Sequence, residues 1–153
     1  MRKIKKIHIH HSAVPDLADW SRVGSDQIFN SIKNYHIHHK GWVDVGYHDI
    51  IMPNGVRYYG RSIGLNPASI KWHNTGAYAI CFIGNFEHDE VADCQLYRAF
   101  QIIKDLVREY NIPLNHKTIV YHREKGNTLC PGKNFPNKDK FLEILNRDIY
   151  ITS

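Results

Sequence analysis

Residues 77–86, AYAICFIGNF, form an apolar run with almost no polar interruption, and this stretch constrains the fold more than any other. A strand that is apolar throughout belongs at the centre of a sheet with both faces covered. Its neighbours supply the rest of such a sheet. IKKIHIHHSA alternates, with Ile4, Ile7 and Ile9 interleaved with Lys and His, and reads as a strand ending near Ser12. VGYHDIIM and VRYYG flank the turn PNG and read as a hairpin, and TIVYH as a short strand. Ser25 is placed to cap a helix with Ile28, Phe29, Ile32 and Tyr35 on one face, running to about His39 and stopping at Gly41. Asp93 is placed to cap a longer one with Leu96, Phe100, Ile103, Leu106 and Val107, ending near Asn111 before Pro113. KDKFLEILNRDI gives a last helix; residues 14–24, 61–76 and REKGNTLCPGKNFP read as loops. No repeat or linker divides the chain. The reading is one α/β domain over residues 1–153, with a central mixed β-sheet flanked by helices.

A hydrophobic content of 42% with 23% charged residues suits a globular chain, and no apolar run approaches the roughly 18 residues of a membrane span. MRKIKKIHIHH is basic but lacks the apolar core of a secretory signal, so synthesis in the cytoplasm without a signal peptide is expected. Cys81, Cys94 and Cys130 are an odd count at irregular spacing, which argues for reduced thiols. The net charge of +5 and the cluster Arg2, Lys3, Lys5, Lys6 suit an anionic partner. No nucleic-acid-binding motif accompanies them.

The tetrapeptide HIHH occurs twice, at residues 8–11 and 36–39. The second copy falls at a helix end, where no Cys, Asp or Glu at matching spacing completes a ligand set. It reads as a polar last turn suited to the helix dipole. The first copy lies on a strand, so His8 and His10 share one face and His11 points to the other. VYHREKGNTLCPG then puts His122 at a strand end and Cys130 in a Gly-containing loop eight residues on. One histidine of the first strand with His122 and Cys130 would make a His2Cys set. That donor chemistry favours zinc, and three protein ligands leave the open fourth position of catalytic zinc sites. The helix-borne HExxH arrangement is absent.

At these residues the chain resembles the zinc N-acetylmuramoyl-L-alanine amidases of the phage-lysozyme and peptidoglycan-recognition-protein type. Five blocks match in order: IHHSA, YHIHHKGWVDVGYHDII, PNGVRYYGR, ICFIGNF and HREKGNTLCPG, spanning about Ile7 to Phe141. The resemblance implies the phage-lysozyme-like amidase fold. It assigns zinc to His10, His122 and Cys130, with His8 and His11 supporting. Tyr47 corresponds to a family tyrosine near the water that the metal activates. Thr128 falls where some members have Lys and others Thr. His73 corresponds to a groove histidine, and the adjacent Trp72 is a candidate for the groove wall. The second HIHH corresponds to a helix end facing away from the metal. Two departures stand out: a shorter stretch between His73 and ICFIGNF, and no cationic side chain at Thr128.

The implied activity is endolysin-type hydrolysis of the amide between N-acetylmuramic acid and L-alanine of the peptidoglycan stem, reached once the membrane is breached. The basic N-terminus would help hold a monomer on anionic wall or membrane. The alternative is a non-catalytic peptidoglycan-binding module of the same fold; such members typically lack the cysteine present here as Cys130. Cytoplasmic zinc amidases that recycle wall fragments have Asp at that position.

Overall fold

The computed structural model describes residues 2–15, 20 and 22–152. Part of the expected 14–24 loop, residues 16–19 and 21, lies outside the described residues. Five strands form one sheet: β1 (Lys6–His11), β2 (Asp49–Ile51), β3 (Arg57–Tyr59), β4 (Ala77–Phe82) and β5 (Ile119–Tyr121). Their order is β3-β2-β4-β1-β5, with only the β2–β3 hairpin antiparallel. The apolar run is the central strand, and every residue of β4 is buried.

Period-two alternation assigns the two faces. Ile7 and Ile9 of β1 join Ile80, Phe82, Ile119 and Tyr121 against two helices, α2 (Asp93–Tyr110) and α3 (Lys138–Thr152). Phe100, Ile103 and Leu106 supply the inner stripe of α2, and Phe141 and Leu145 that of α3. The opposite face carries His8 and His10, in register with Ala79 and Cys81 of β4. Helix α1 (Ser25–Asn34) covers part of that face, with Ile28 packed near Ile50 and Cys81. The β3–β4 loop covers more of it, with Ser69 Oγ 2.9 Å from His8 Nδ1.

Element boundaries differ from sequence expectation in ways with local causes. Neither Ser25 nor Asp93 is an N-cap: Gly24 and Ala92 occupy those positions. Gln95 does the capping at α2, where its Oε1 accepts the Ala92 N–H at 3.2 Å. The buried Gln95 amide also donates to the Ile51 and Ile83 carbonyls, tying the helix start to two strand ends. Asn111 closes α2 in the left-handed conformation, φ 54°, as an Asn C-terminal cap does. The expected helix 25–39 is α-helical only to Asn34, and Tyr35–His39 form a π-helical turn.

The expected strand 45–52 pairs only over Asp49–Ile51. His48 explains the shortening. Its imidazole Nδ1, not a main-chain carbonyl, accepts the Ala79 N–H at 3.0 Å. The regular ladder is interrupted there, although the His48 N–H still donates to the Ala79 carbonyl at 2.9 Å and the Tyr47 carbonyl accepts the Arg61 N–H at 2.8 Å.

Buried imidazoles make stability depend on pH, and His36 and His48 are two of them. Burial pushes His36 and His48 each down to about 4. Unfolded, both take up protons near the ordinary value of about 6.5. The unfolded chain therefore binds more protons than the folded one between about pH 4 and 6.5. We expect stability to be complete above that window and to fall as pH drops through it, read as a decreasing urea midpoint. A constant midpoint across the window would contradict this assignment.

Among the described residues no helix is long and apolar enough to cross a membrane.

Candidate metal centre and adjoining groove

His10 sits near the end of β1, the strand held on both sides by β4 and β5. His122 follows β5 directly and opens a 3-10 turn, His122–Glu124. The chain then loops out and returns. Arg123 N–H donates to the Cys130 carbonyl at 2.8 Å. Cys130 N–H donates to Thr128 Oγ1 at 3.2 Å. Gly132, at φ 104°, lies so close to the Phe86 backbone that a Cβ there would come within 2.5 Å of it. Only glycine allows that approach, which seats the Cys130 loop against the turn that follows the central strand.

These constraints bring three donors together. His10 Nδ1 is 3.7 Å from Cys130 Sγ, and the His10 and His122 ring centres are 4.8 Å apart. One ligand atom from each of His10, His122 and Cys130 lies within 4.8 Å of the others. Tetrahedral zinc with ordinary Zn–N and Zn–S bonds separates an N donor from an S donor by about 3.6 Å. The observed His10–Cys130 spacing already matches.

The electrostatics suit a cation. Burial holds His10 well below the ordinary imidazole range and lowers His122 as well, so both present neutral rings. Burial pushes the Cys130 thiol up to about 12, against the pull of the His11 backbone. The His11 N–H donates to Cys130 Sγ at 3.3 Å. Two neutral imidazoles and a thiol that needs a nearby positive charge to ionise form a complete borderline-soft donor set.

Tyr47 reaches this cluster, its ring centre 5.1 Å from that of His10. Burial, with Cys81 and Cys130 alongside, pushes the Tyr47 hydroxyl well above the ordinary phenol value. Cys81 is fully buried, as its mid-strand position suggests.

The second HIHH corrects expectation. The π turn directs His36 inward, where its Nδ1 accepts the Gly46 N–H at 2.9 Å. Its ring packs between Trp42 and Tyr47, at 4.7 and 5.6 Å between centres. His36 thus backs the tyrosine that reaches the cluster, while His38 and His39 stay outside. No sequence signal marks it, because a π turn breaks the 3.6-residue period on which face assignments rest.

A cavity of about 450 Å³ adjoins Tyr47. Ile28, Ile32 and Tyr35 of the α1 segment form one wall, and Ser12 and Val14 after β1 another. The loop between β3 and β4 carries the remaining sequence candidates. Trp72 is 86% exposed at φ 71°, with the Lys71 ammonium 5.2 Å from its ring. His73 is half-buried. Ser69, on the same loop, approaches His8 Nδ1 at 2.9 Å through Oγ. His11 turns to the other face, where its Nδ1 accepts the Phe86 N–H at 3.1 Å.

A mixed sheet with helices on both faces, a His2Cys donor set formed by two strand ends and a loop, and a cavity that meets it at Tyr47 define the class of this molecule. The chain belongs to the N-acetylmuramoyl-L-alanine amidase family, whose model matches residues 1–133. It is 30% identical over 140 residues to peptidoglycan-recognition protein SC1a of Drosophila melanogaster, covering 85% of this chain and 69% of that protein. Among solved structures it is similar to the N-acetylmuramoyl-L-alanine amidase LysC from Clostridium intestinale URNW. The TM-score is 0.77 at 26% identity, over 95% of this chain and 87% of that one. The endolysine amidase LysCS from the same source matches equally, with TM-score 0.77 and 26% identity over 95% of this chain and 85% of that one.

Proposed function

We propose that this chain is a zinc-dependent, endolysin-type peptidoglycan hydrolase that cleaves the amide between N-acetylmuramic acid and the L-alanine of the stem peptide. The observation that carries the proposal is the convergence of His10, His122 and Cys130 to within 4.8 Å, next to Tyr47, which also lines the cavity. Family membership and the likeness to two clostridial amidases support it.

His10 and His122 would hold zinc through neutral imidazole nitrogens and Cys130 through a thiolate that the His11 N–H helps to stabilise. Zinc in such a site supplies a Lewis acid that polarises the scissile carbonyl and activates water. Tyr47, whose ring lies against His10, acts as a donor that orients water or the developing oxyanion. Thr128 accepts the Cys130 N–H through Oγ1, and its own hydroxyl proton remains to be offered to substrate. His73 and Trp72 contribute to substrate binding from the β3–β4 loop. Apolar side chains of α1 line the groove and keep water from the bound stem.

A second reading, a recognition module without catalysis, draws on the name of the fly relative. Incubation with purified peptidoglycan separates the two. The hydrolase releases soluble fragments, stops with chelator and resumes on adding zinc. Co-sedimentation without release, zinc present, supports recognition alone.

A further inference from the structure

His8 has no part in the chemistry above, yet it is fully buried in β1. A buried imidazole is unfavourable unless its nitrogens are hydrogen-bonded. Its Nδ1 has a partner, Ser69 Oγ, at 2.9 Å. Its Nε2 has none in the protein, and neither does Nε2 of His10. Among the described residues, Trp20 Nε1 is the one other buried side-chain polar atom in that condition. The two orphaned imidazole nitrogens belong to neighbours on one strand face, with ring centres 6.2 Å apart and edge-on. The other His10 nitrogen, Nδ1, is the one that faces Cys130. A histidine that binds metal through Nδ1 carries its proton on Nε2, and that N–H requires an acceptor.

We infer that His8 is a positioning residue for His10, an inference that rests on the zinc reading. Ser69 Oγ accepts the His8 Nδ1 proton, which leaves a lone pair on His8 Nε2. One buried water accepts the His10 Nε2–H and donates to His8 Nε2. The ring separation is too long for a direct N–H···N bond, so the link requires the water. The line Ser69, His8, water, His10 fixes the tautomer and the rotation of His10, so that a bare Nδ1 always faces Cys130 and His122. A leucine at position 8 would offer no acceptor and strand the His10 N–H.

The test measures zinc affinity of the full chain by chelator competition in wild type, Cys130→Ala, His8→Leu, His8→Gln and Ser69→Ala. Imidazole tautomers in the zinc-loaded wild type are read by long-range proton–nitrogen NMR. Loss of a partner behind a metal ligand typically weakens affinity about 10–100-fold, which is the expectation for His8→Leu. His8→Gln, whose carbonyl can accept in the same place, recovers most of the loss, and Ser69→Ala shows a smaller one. In the wild type His10 carries its proton on Nε2 and His8 on Nδ1. A folded His8→Leu with wild-type zinc affinity overturns the inference. So does a His8 proton on Nε2, a result available even if His8→Leu fails to fold. If wild type binds zinc no more tightly than Cys130→Ala, the zinc reading fails and this inference falls with it.

Discussion

Cys130→Ala is expected to abolish zinc binding and reduce peptidoglycan hydrolysis by at least about 10³-fold, because Lewis-acid stabilisation worth several kcal/mol is lost. Bound to zinc as a thiolate, Cys130 would be the sole anionic member of a set whose other donors are neutral imidazoles. The fold should survive, since the loop is held by the Arg123 N–H to Cys130 carbonyl bond and the Gly132–Phe86 approach, neither of which involves the thiol. Cys94→Ala is the control: that thiol is exposed and donates to the Pro53 carbonyl at 3.1 Å. Metal analysis, hydrolysis rate and melting temperature of both variants check the expectation. Normal activity in Cys130→Ala would remove the donor set from the chemistry.

Tyr47→Phe is expected to lower kcat by about 10²–10³ while zinc content stays at the wild-type level, the usual consequence of losing one preorganised donor. The phenylalanine ring retains the packing on His10 and His36, so the deficit reports the hydroxyl alone. Burial pushes that hydroxyl up from the ordinary phenol value. The acidic limb of the pH–rate profile should therefore persist in the variant, because that limb does not belong to the phenol. A near-normal rate would dismiss Tyr47 from the reaction. A vanished acidic limb would make it the base.

Much of the architecture is legible in the residues because it follows from period and hydrophobicity. The apolar 77–86 run specifies a central strand, and alternation along β1 puts His8 and His10 together on one face. The approach of His122 and Cys130 to His10 is legible only through the resemblance of five ordered blocks. The sequence separation is too great for spacing alone to close the cluster. What escapes are features in which a side chain replaces a backbone partner or the helical period changes. His48 takes the Ala79 N–H and ends β2 early. Gln95 caps α2 from inside the helix, where an Asp93 cap is the ordinary reading. The π turn moves His36 from a solvent-facing last turn to a support behind Tyr47. Each is a tertiary choice that local propensity does not encode.

Mass spectrometry of purified peptidoglycan digested by the wild type and by Cys130→Ala tests the central claim most directly. The account predicts free stem peptides beginning at L-alanine and glycan strands with intact lactyl groups, released by the wild type and stopped by chelator or by the substitution. Peptidoglycan that the zinc-loaded wild type leaves intact, or fragments cut at glycosidic or interpeptide bonds, would contradict it.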